Sequence, residues 1–266
     1  MLGLPHRFTF QNQSVRWGRI GTGPALVAIH GTPFSAQVWR RIAPVLAGKR
    51  TVYYFDLLGY GQSDMQAGQD VSLGIQNRVL AALLQEWGLC KPEILAHDFG
   101  AATALRAHFL DGIGFGALTI FDAVAMAPWG SPLVQHVRNH ERAFAGMPGY
   151  MHDAVLRAYL QTAAYNPLPE EAMEIYLAPW RGKTGQSGFY HQIAQMDQKH
   201  TDEFESRYRQ PGFPVKVLWG ERDAWVPMGK GEELATRLAA PLRCIPNSGH
   251  LMQEDAPEAI VAGVFE

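Results

Sequence analysis

Short apolar runs alternate with amphipathic stretches over the first 125 residues of the chain. Continuous apolar runs bounded by polar or glycine residues predict strands that are buried on both faces. Such runs occupy residues 25–30, 51–55, 93–96 and 117–121. Between them, apolar residues recur at helical spacing, which predicts helices over 36–47, 79–87 and 101–110. The alternation favours a parallel sheet with helices on both faces.

The pattern changes between residues 125 and 210 and then returns. The intervening stretch is helical in character and rich in aromatic, histidine and methionine residues. Strands are predicted again at 215–219 and 242–245, and helices at 231–238 and from Pro257. We therefore predict a core made of residues 1–124 and 211–266. Residues 125–210, the cap segment, would cover the carboxyl ends of the strands, where open parallel sheets bind ligands.

The composition excludes several classes of protein. The chain has 266 residues, of which 47% are hydrophobic and 18% charged, as in a packed globule rather than a disordered chain. The formal net charge is −2, so the basic excess of a nucleic-acid-binding protein is absent. No apolar run approaches the roughly 18–20 residues of a membrane span. No secretory signal is visible at the N-terminus, so we expect a cytoplasmic protein without membrane or nucleic-acid partners.

The two cysteines, Cys90 and Cys244, do not form a metal or redox motif. Both lie beside predicted strands. We therefore expect them to be small buried apolar side chains.

The strand at 93–96 runs directly into His97-Asp98-Phe99-Gly100. Small residues around Asp98 permit the sharp strand-to-helix turn that pushes a nucleophile towards its substrate. Such a turn usually carries serine, but the chain contains no Gly-x-Ser-x-Gly sequence. A carboxylate therefore stands at the position expected for the nucleophile. The alternative is that Asp98 only caps the helix that begins at Phe99.

Five motifs in the same order resemble those of the α/β-hydrolase superfamily. They are His30-Gly31-Thr32-Pro33, Asp56-Leu57-Leu58-Gly59-Tyr60-Gly61-Gln62-Ser63-Asp64, His97-Asp98-Phe99-Gly100, the loop 220–227, and Ser248-Gly249-His250. The resemblance is to the branch with an Asp nucleophile, which holds epoxide hydrolases, haloalkane dehalogenases and fluoroacetate dehalogenases. It implies a mostly parallel central sheet flanked by helices, with a helical cap inserted after the sixth strand. It also implies a hydrolase of small molecules without a cofactor or metal, and we expect a monomer or homodimer.

The order Asp98, Asp223, His250 matches the nucleophile–acid–base order of this fold. Asp98 would attack a saturated carbon and form an ester, and His250 would deprotonate the water that hydrolyses it. Asp223 would accept the other imidazole N–H and stabilise the imidazolium. Asp122, which follows the strand at 117–121, is the alternative acid.

The oxyanion donors are predicted from the backbone. The N–H of Phe99 follows the nucleophile, and a second donor is expected from the loop after His30. Because Pro33 has no N–H, that donor is assigned to Thr32.

The kind of leaving group that the protein could stabilise depends on the residues around the nucleophile. The dehalogenases of this branch usually have Trp or Arg where this chain has Phe99, so the resemblance favours a small epoxide over a carbon–halogen bond. Epoxide hydrolases protonate the epoxide oxygen with cap tyrosines, and Ser187-Gly188-Phe189-Tyr190-His191 resembles a segment that carries one. Tyr159 is a second candidate, and each tyrosine could instead serve only in packing.

Trp129 and Trp180 are further candidates, either as residues that line the pocket or as halide donors. Two alternative functions remain open at this point. One is a dehalogenase that acts on haloacids or haloalkanes. The other is a non-catalytic protein of this fold that binds a ligand or transmits a signal.

Overall fold

A single sheet of eight strands runs through the computed structural model, which describes all 266 residues. The strands are β1 (His6–Phe10), β2 (Gln13–Ile20), β3 (Ala25–Ile29), β4 (Thr51–Phe55), β5 (Glu93–His97), β6 (Ala117–Phe121), β7 (Val215–Gly220) and β8 (Leu242–Ile245). Their spatial order is β1-β2-β4-β3-β5-β6-β7-β8. Strands β3 to β8 are parallel, and the predicted mostly parallel sheet is confirmed.

The N-terminal hairpin was not predicted from the sequence. β1 pairs antiparallel with β2, and β2 pairs antiparallel with β4 at the edge of the parallel strands. Gln11 and Asn12 form the connection, both with positive φ, 49° and 63°. Two residues with positive φ form the type of turn that suits the twist of a hairpin. The asparagine was therefore the available signal for this turn.

Eleven α-helices accompany the sheet. They are α1 (Ala43–Leu46), α2 (Leu73–Glu86), α3 (Phe99–Phe109), α4 (Pro132–Ala145), α5 (Gly149–Gln161), α6 (Glu170–Leu177), α7 (Gly182–Ala194), α8 (Lys199–Glu205), α9 (Met228–Leu238), α10 (Met252–Asp255) and α11 (Pro257–Phe265). Helices α4 to α8 all lie between β6 and β7, so the insertion follows the sixth strand as predicted. None of the helices combines the length and the apolar character needed to cross a membrane.

The helix predicted over 36–47 is wrong as a continuous element. The segment forms a 3-10 turn at Ala36–Trp39 and the single α-helical turn α1. Pro44 explains the interruption, because its ring removes an N–H and clashes with the preceding helical turn. Val38, Trp39 and Ile42 are nevertheless fully buried, whereas Val45 is exposed.

The prediction of buried cysteines is also wrong. Cys90 and Cys244 are both exposed free thiols. Cys90 lies in the connection before β5, and Cys244 lies on the edge strand β8, which only β7 covers. An edge strand has only one neighbour, so proximity to a strand did not imply burial there.

The central strands form a rigid platform for the loops that follow them. In β3, β4, β5 and β6 the first residue is half-buried and the next four are buried. A hydrophobic cluster of 72 buried residues surrounds these strands. Interiors packed in this way have low compressibility. Side chains placed directly after β5, β6 and β7 are therefore held at fixed positions.

Candidate active site

Four ionisable side chains meet at the carboxyl edge of the sheet. Asp98 and Asp122 directly follow β5 and β6, whereas Asp223 and His250 lie in the loops after β7 and β8. The side chains of Asp98, Asp223 and His250 are at most 2% exposed. Asp122 is completely buried. The parallel strands thus bring together residues that are far apart in the chain.

Asp98 occupies a sharp turn between β5 and α3. Its backbone has φ 52° and ψ −118°, a combination that costs energy for any residue with a side chain. Two glycines allow the chain to pass close by. A Cβ atom on Gly100 would lie 2.3 Å from the Ile29 carbonyl oxygen, and one on Gly31 would lie 2.3 Å from the Asp98 Cβ. The local sequence therefore supports a strained turn that presents the carboxylate.

A line of polar contacts connects Asp98 to Asp223. The Thr32 N–H donates to Asp98 Oδ1 at 2.7 Å, and His250 Nε2 lies 3.4 Å from Asp98 Oδ2. His250 Nδ1 lies 2.9 Å from Asp223 Oδ2. Because a carboxylate only accepts hydrogen bonds, Nδ1 carries the proton in this contact. A neutral His250 would then present the lone pair of Nε2 towards Asp98.

Hydrogen bonds and ring stacking hold Asp223 and His250 in place. The N–H groups of Trp225 and Val226 donate to Asp223 Oδ1 at 2.7 and 2.8 Å. His97 Nε2 donates to the His250 carbonyl oxygen at 2.9 Å, and the Trp225 ring stacks on His250 with 4.9 Å between centroids. The imidazole therefore has little freedom to rotate away from Asp98.

The electrostatic environment favours the protonated form of His250. Burial lowers the pKa of this imidazole, but the neighbouring Asp223 and Asp98 carboxylates outweigh that effect. The net result is a His250 pKa well above the ordinary histidine value. The charge on Asp98 is one of the causes, so a reaction that neutralises Asp98 would lower the His250 pKa.

Asp122 has a different environment from Asp223. Its Oδ1 accepts a hydrogen bond from the Gly220 N–H at 2.8 Å, whereas Oδ2 has no partner. Burial, reinforced by the charge of Asp223, raises the Asp122 pKa well above its usual range. Burial therefore disfavours the charged form of Asp122 more than that of an exposed carboxyl group, and Asp122 makes no hydrogen bond to His250.

The two predicted oxyanion donors differ in their present contacts. The Thr32 N–H already points at the Asp98 carboxylate. Phe99 begins α3, so its N–H is one of the first four that have no partner within the helix. The Phe99 ring lies edge-on to Trp129, with 5.7 Å between centroids.

A small cavity of about 70 Å³ opens beside Asp98. Its lining is mainly apolar and aromatic, and consists of Thr32, Asp98, Phe99, Val124, Pro128, Trp129, Gly130, Ser131, Val134, Tyr159, Met196, Trp225, Val226, Pro227 and Lys230. Pockets of this character, with a few polar groups, are typical of small-molecule sites.

Of the two predicted tyrosines, only Tyr159 lines this cavity. It lies on α5, and its ring stacks on Trp225 with 4.6 Å between centroids and an interplanar angle of 15°. Burial, together with the charge of Asp98, raises the pKa of the Tyr159 hydroxyl. The phenol therefore remains a proton donor at neutral pH.

The structure places Tyr190 away from this cavity. Its side chain is fully buried on α7 and does not line the cavity. The Tyr190 hydroxyl lies 3.0 Å from His152 Nδ1, and His152 Nε2 donates to the Trp180 carbonyl oxygen. Nδ1 is therefore the acceptor, and the Tyr190 proton is committed to it. Tyr190 lies on the face of α7 that packs inside the cap segment.

The predicted tryptophans also differ from one another. Trp129 lines the cavity, but its indole N–H donates to Thr201 Oγ1 at 2.8 Å. Trp180 does not line the cavity, and its N–H donates to the Pro33 carbonyl oxygen at 2.8 Å. Both N–H groups are therefore engaged by the protein itself.

Several residues near Asp98 were missed by the sequence analysis. Gln192 on α7 accepts hydrogen bonds from the Thr32 and Tyr60 hydroxyls at 2.7 and 2.9 Å, which joins the cap segment to the loop after β3. Trp225 and Lys230 line the cavity from the core side. Trp225 lies in one of the motif loops, so its position was the available signal. Nothing in the sequence pattern distinguished Gln192.

Comparison with known proteins agrees with this architecture. Residues 26–263 match the model of the alpha/beta hydrolase family. The chain belongs to the alpha/beta hydrolase family. A solved structure of an alpha/beta hydrolase fold protein from Burkholderia ambifaria is 54% identical, with a TM-score of 0.98. That match covers 99% of this chain and 98% of the other.

Relatives of this hydrolase with reported activities are more distant. A fluoroacetate dehalogenase from Burkholderia sp. is 28% identical over 179 residues, which is 60% of this chain and only 59% of that protein. A soluble epoxide hydrolase from Corynebacterium sp. (strain C12) is 23% identical over 282 residues, covering 96% of this chain and 94% of the relative. The two relatives represent the two chemistries that the resemblance implied.

Proposed function

We propose that this hydrolase opens a small epoxide through a covalent ester on Asp98, which water then hydrolyses. The observation that supports this proposal most directly is the line of contacts from the Thr32 N–H through Asp98 and His250 to Asp223. A protein that only binds a ligand has no need for a strained Asp98 carboxylate that faces a buried imidazole–carboxylate pair, His250 and Asp223. The non-catalytic alternative is therefore not favoured.

In the first step, an Asp98 carboxylate oxygen attacks an epoxide carbon, and the carbon–oxygen bond of the ring breaks. The oxygen that leaves carbon takes the phenolic proton of Tyr159, and water later reprotonates the tyrosine. Tyr159 suits this role because it lines the same cavity and its raised pKa keeps it protonated. The Thr32 N–H meanwhile fixes the orientation of the nucleophile.

In the second step, water attacks the carbonyl carbon of the ester while His250 Nε2 takes a proton from it. The N–H groups of Thr32 and Phe99 stabilise the oxyanion, and Asp223 stabilises the imidazolium. Collapse of the intermediate releases the diol, which receives the proton from His250. The second proton of the attacking water is left on Asp98 and passes to the solvent, where it neutralises the hydroxide formed when water reprotonates Tyr159, and the Asp98 carboxylate is restored. Esterification removes the charge of Asp98, so the His250 pKa falls when the base is needed.

The donors around the cavity favour an epoxide over a carbon–halogen bond. The indole N–H groups of Trp129 and Trp180 are engaged, and that of Trp225 donates to Thr162 Oγ1 at 2.9 Å. The Phe99 side chain has no N–H or O–H group that could bind a halide. The Tyr159 hydroxyl, in contrast, makes no hydrogen bond within the protein and faces the cavity that Asp98 lines.

The proposal is tested by turnover on two matched panels, small epoxides on one side and haloacids and haloalkanes on the other. We expect diol formation from epoxides and no diol formation by the Asp98→Asn variant. Halide release without any epoxide turnover would reject the epoxide assignment. Turnover of neither panel by the folded protein would reject both enzymatic assignments for small substrates of these classes.

A further inference from the structure

The cavity contains a second charge that the proposed reaction does not use. Asp98 and Lys230 are the only charged side chains in its lining. Lys230 is partly buried and lies in the first turn of α9. This helix begins directly after Val226 and Pro227, which also line the cavity. Asp98 and Lys230 thus line the same small cavity of about 70 Å³.

The fold gives Lys230 no charged partner. Its ammonium donates one hydrogen bond, to the carbonyl oxygen of Ala127, and forms no salt bridge with a carboxylate. An ammonium has three N–H donors, so two remain for a ligand. Partly buried cations are normally paired because desolvation disfavours an isolated charge. This cation is therefore available to an anion in the cavity.

The position of Lys230 on its helix also does not favour protein stability. The N-terminal end of a helix carries a partial positive charge, which favours acidic residues and disfavours lysine. The first turn of α9 contains no acidic residue. Both the lysine and the helix end consequently make this side of the cavity positive, opposite in sign to Asp98.

We propose that Lys230 binds a carboxylate of the substrate, and that the substrate is a short epoxy acid rather than a neutral epoxide. A substrate carboxylate brought next to Asp98 is repelled by it, and an ammonium in the same cavity offsets that repulsion. That the substrate is an epoxide rests on the proposed function. The carboxylate contact does not, because a haloacid would present the same group to Lys230.

The first test compares two substrates that differ only in charge, oxirane-2-carboxylate and oxirane-2-carboxamide. We expect the ratio of their kcat/KM values to favour the acid by about tenfold or more, the range of a charge-assisted hydrogen bond. Lys230→Gln should remove this preference, mainly through KM, and Lys230→Arg should retain it. Lys183→Gln, which removes an exposed charge on α7, is the matched control. An unchanged ratio in Lys230→Gln would overturn the proposal.

The second test does not need turnover. Binding of propanoate and propanamide is measured by calorimetry with the unmodified protein and with Lys230→Gln. We expect propanoate to bind more tightly, and only when Lys230 is present. If propanoate binds in this way but no epoxide is hydrolysed, the carboxylate site stands and the proposed function fails. If propanoate binds no more tightly than propanamide, the carboxylate site is rejected whatever the enzyme hydrolyses.

A third arm separates the two sources of the carboxylate. Chloroacetate and chloroacetamide are offered under the same conditions, and chloride release is measured. Chloride release that depends on Lys230, without hydrolysis of the epoxy acid, would keep the carboxylate contact and replace the epoxide with a haloacid. Hydrolysis of the epoxy acid without chloride release is the result that we expect.

Discussion

The core side of the cavity, formed by lining residues outside 125–210, holds its ionisable groups with backbone hydrogen bonds. The cap side, formed by lining residues within 125–210, holds the phenol of Tyr159 by ring stacking. Asp98 accepts the Thr32 N–H, and Asp223 accepts the N–H groups of Trp225 and Val226. Tyr159, in contrast, is held against the Trp225 ring. Under the proposed mechanism, we expect the core side to determine the chemistry for every substrate and the cap side to determine which leaving oxygen is protonated.

The substitution with the largest expected effect is on the core side of the cavity. Asp223→Asn should lower turnover by about 10⁴-fold, because an amide in place of the carboxylate favours the wrong His250 tautomer. The measurement is kcat on a substrate that the unmodified enzyme hydrolyses.

Asp122→Asn is the matched control. Asp122 makes no hydrogen bond to His250, and an asparagine oxygen can still accept the Gly220 N–H, so most activity should remain. If Asp122→Asn abolishes turnover and Asp223→Asn has little effect, the acid has been assigned to the wrong residue.

The next effect lies on the cap side. Tyr159→Phe should slow epoxide opening by about 10²–10³-fold, the usual consequence of losing one donor to a developing oxyanion. Single-turnover rates of ester formation measure this step directly. An unchanged rate would show that Tyr159 only packs in the cavity wall and that another group protonates the epoxide oxygen.

Tyr190→Phe sharpens the same comparison because the two tyrosines differ in position but not in chemistry. Tyr190 is bonded to His152 inside the cap segment, so its removal should leave the rate of ester formation nearly unchanged. It should instead lower the free energy of unfolding by about 1–3 kcal/mol, since a buried histidine nitrogen loses its partner. A large loss of rate without loss of stability would contradict this assignment.

The smallest expected effect is a shift in titration. Asp98→Asn removes a negative charge beside His250, so the pKa of His250 should fall from its raised value. Titration of the His250 imidazole by NMR in both proteins measures the difference. An identical pKa in the two proteins would mean that Asp98 and His250 are not electrostatically coupled.

The parallel strands explain why the core side could be predicted from the sequence. Asp98, Asp223 and His250 each follow a strand, and parallel strands present their carboxyl ends at one edge. Their meeting point therefore follows from the strand assignments alone. The raised pKa of Asp122 could not be predicted, because it depends on burial and on the nearby charge of Asp223.

The cap side could not be predicted in the same way. Tyr190 and Gln192 are two positions apart on α7, yet Tyr190 packs inside the cap segment while Gln192 bonds to Thr32. Which face of a helix turns towards the cavity depends on how the helices pack against one another and against the core. A motif resemblance locates the helix, but it does not determine this rotation.

The central claim, a covalent ester on Asp98, is tested most directly by removing the base. His250→Gln should still allow attack by Asp98 but prevent hydrolysis of the ester. Mixed with an epoxide that the unmodified enzyme hydrolyses, this variant should gain the whole mass of the epoxide, and peptide mapping should locate the gain on Asp98. A halogenated substrate would instead add its mass less that of the hydrogen halide. No adduct in the folded variant would mean direct attack by water and would contradict the carboxylate mechanism.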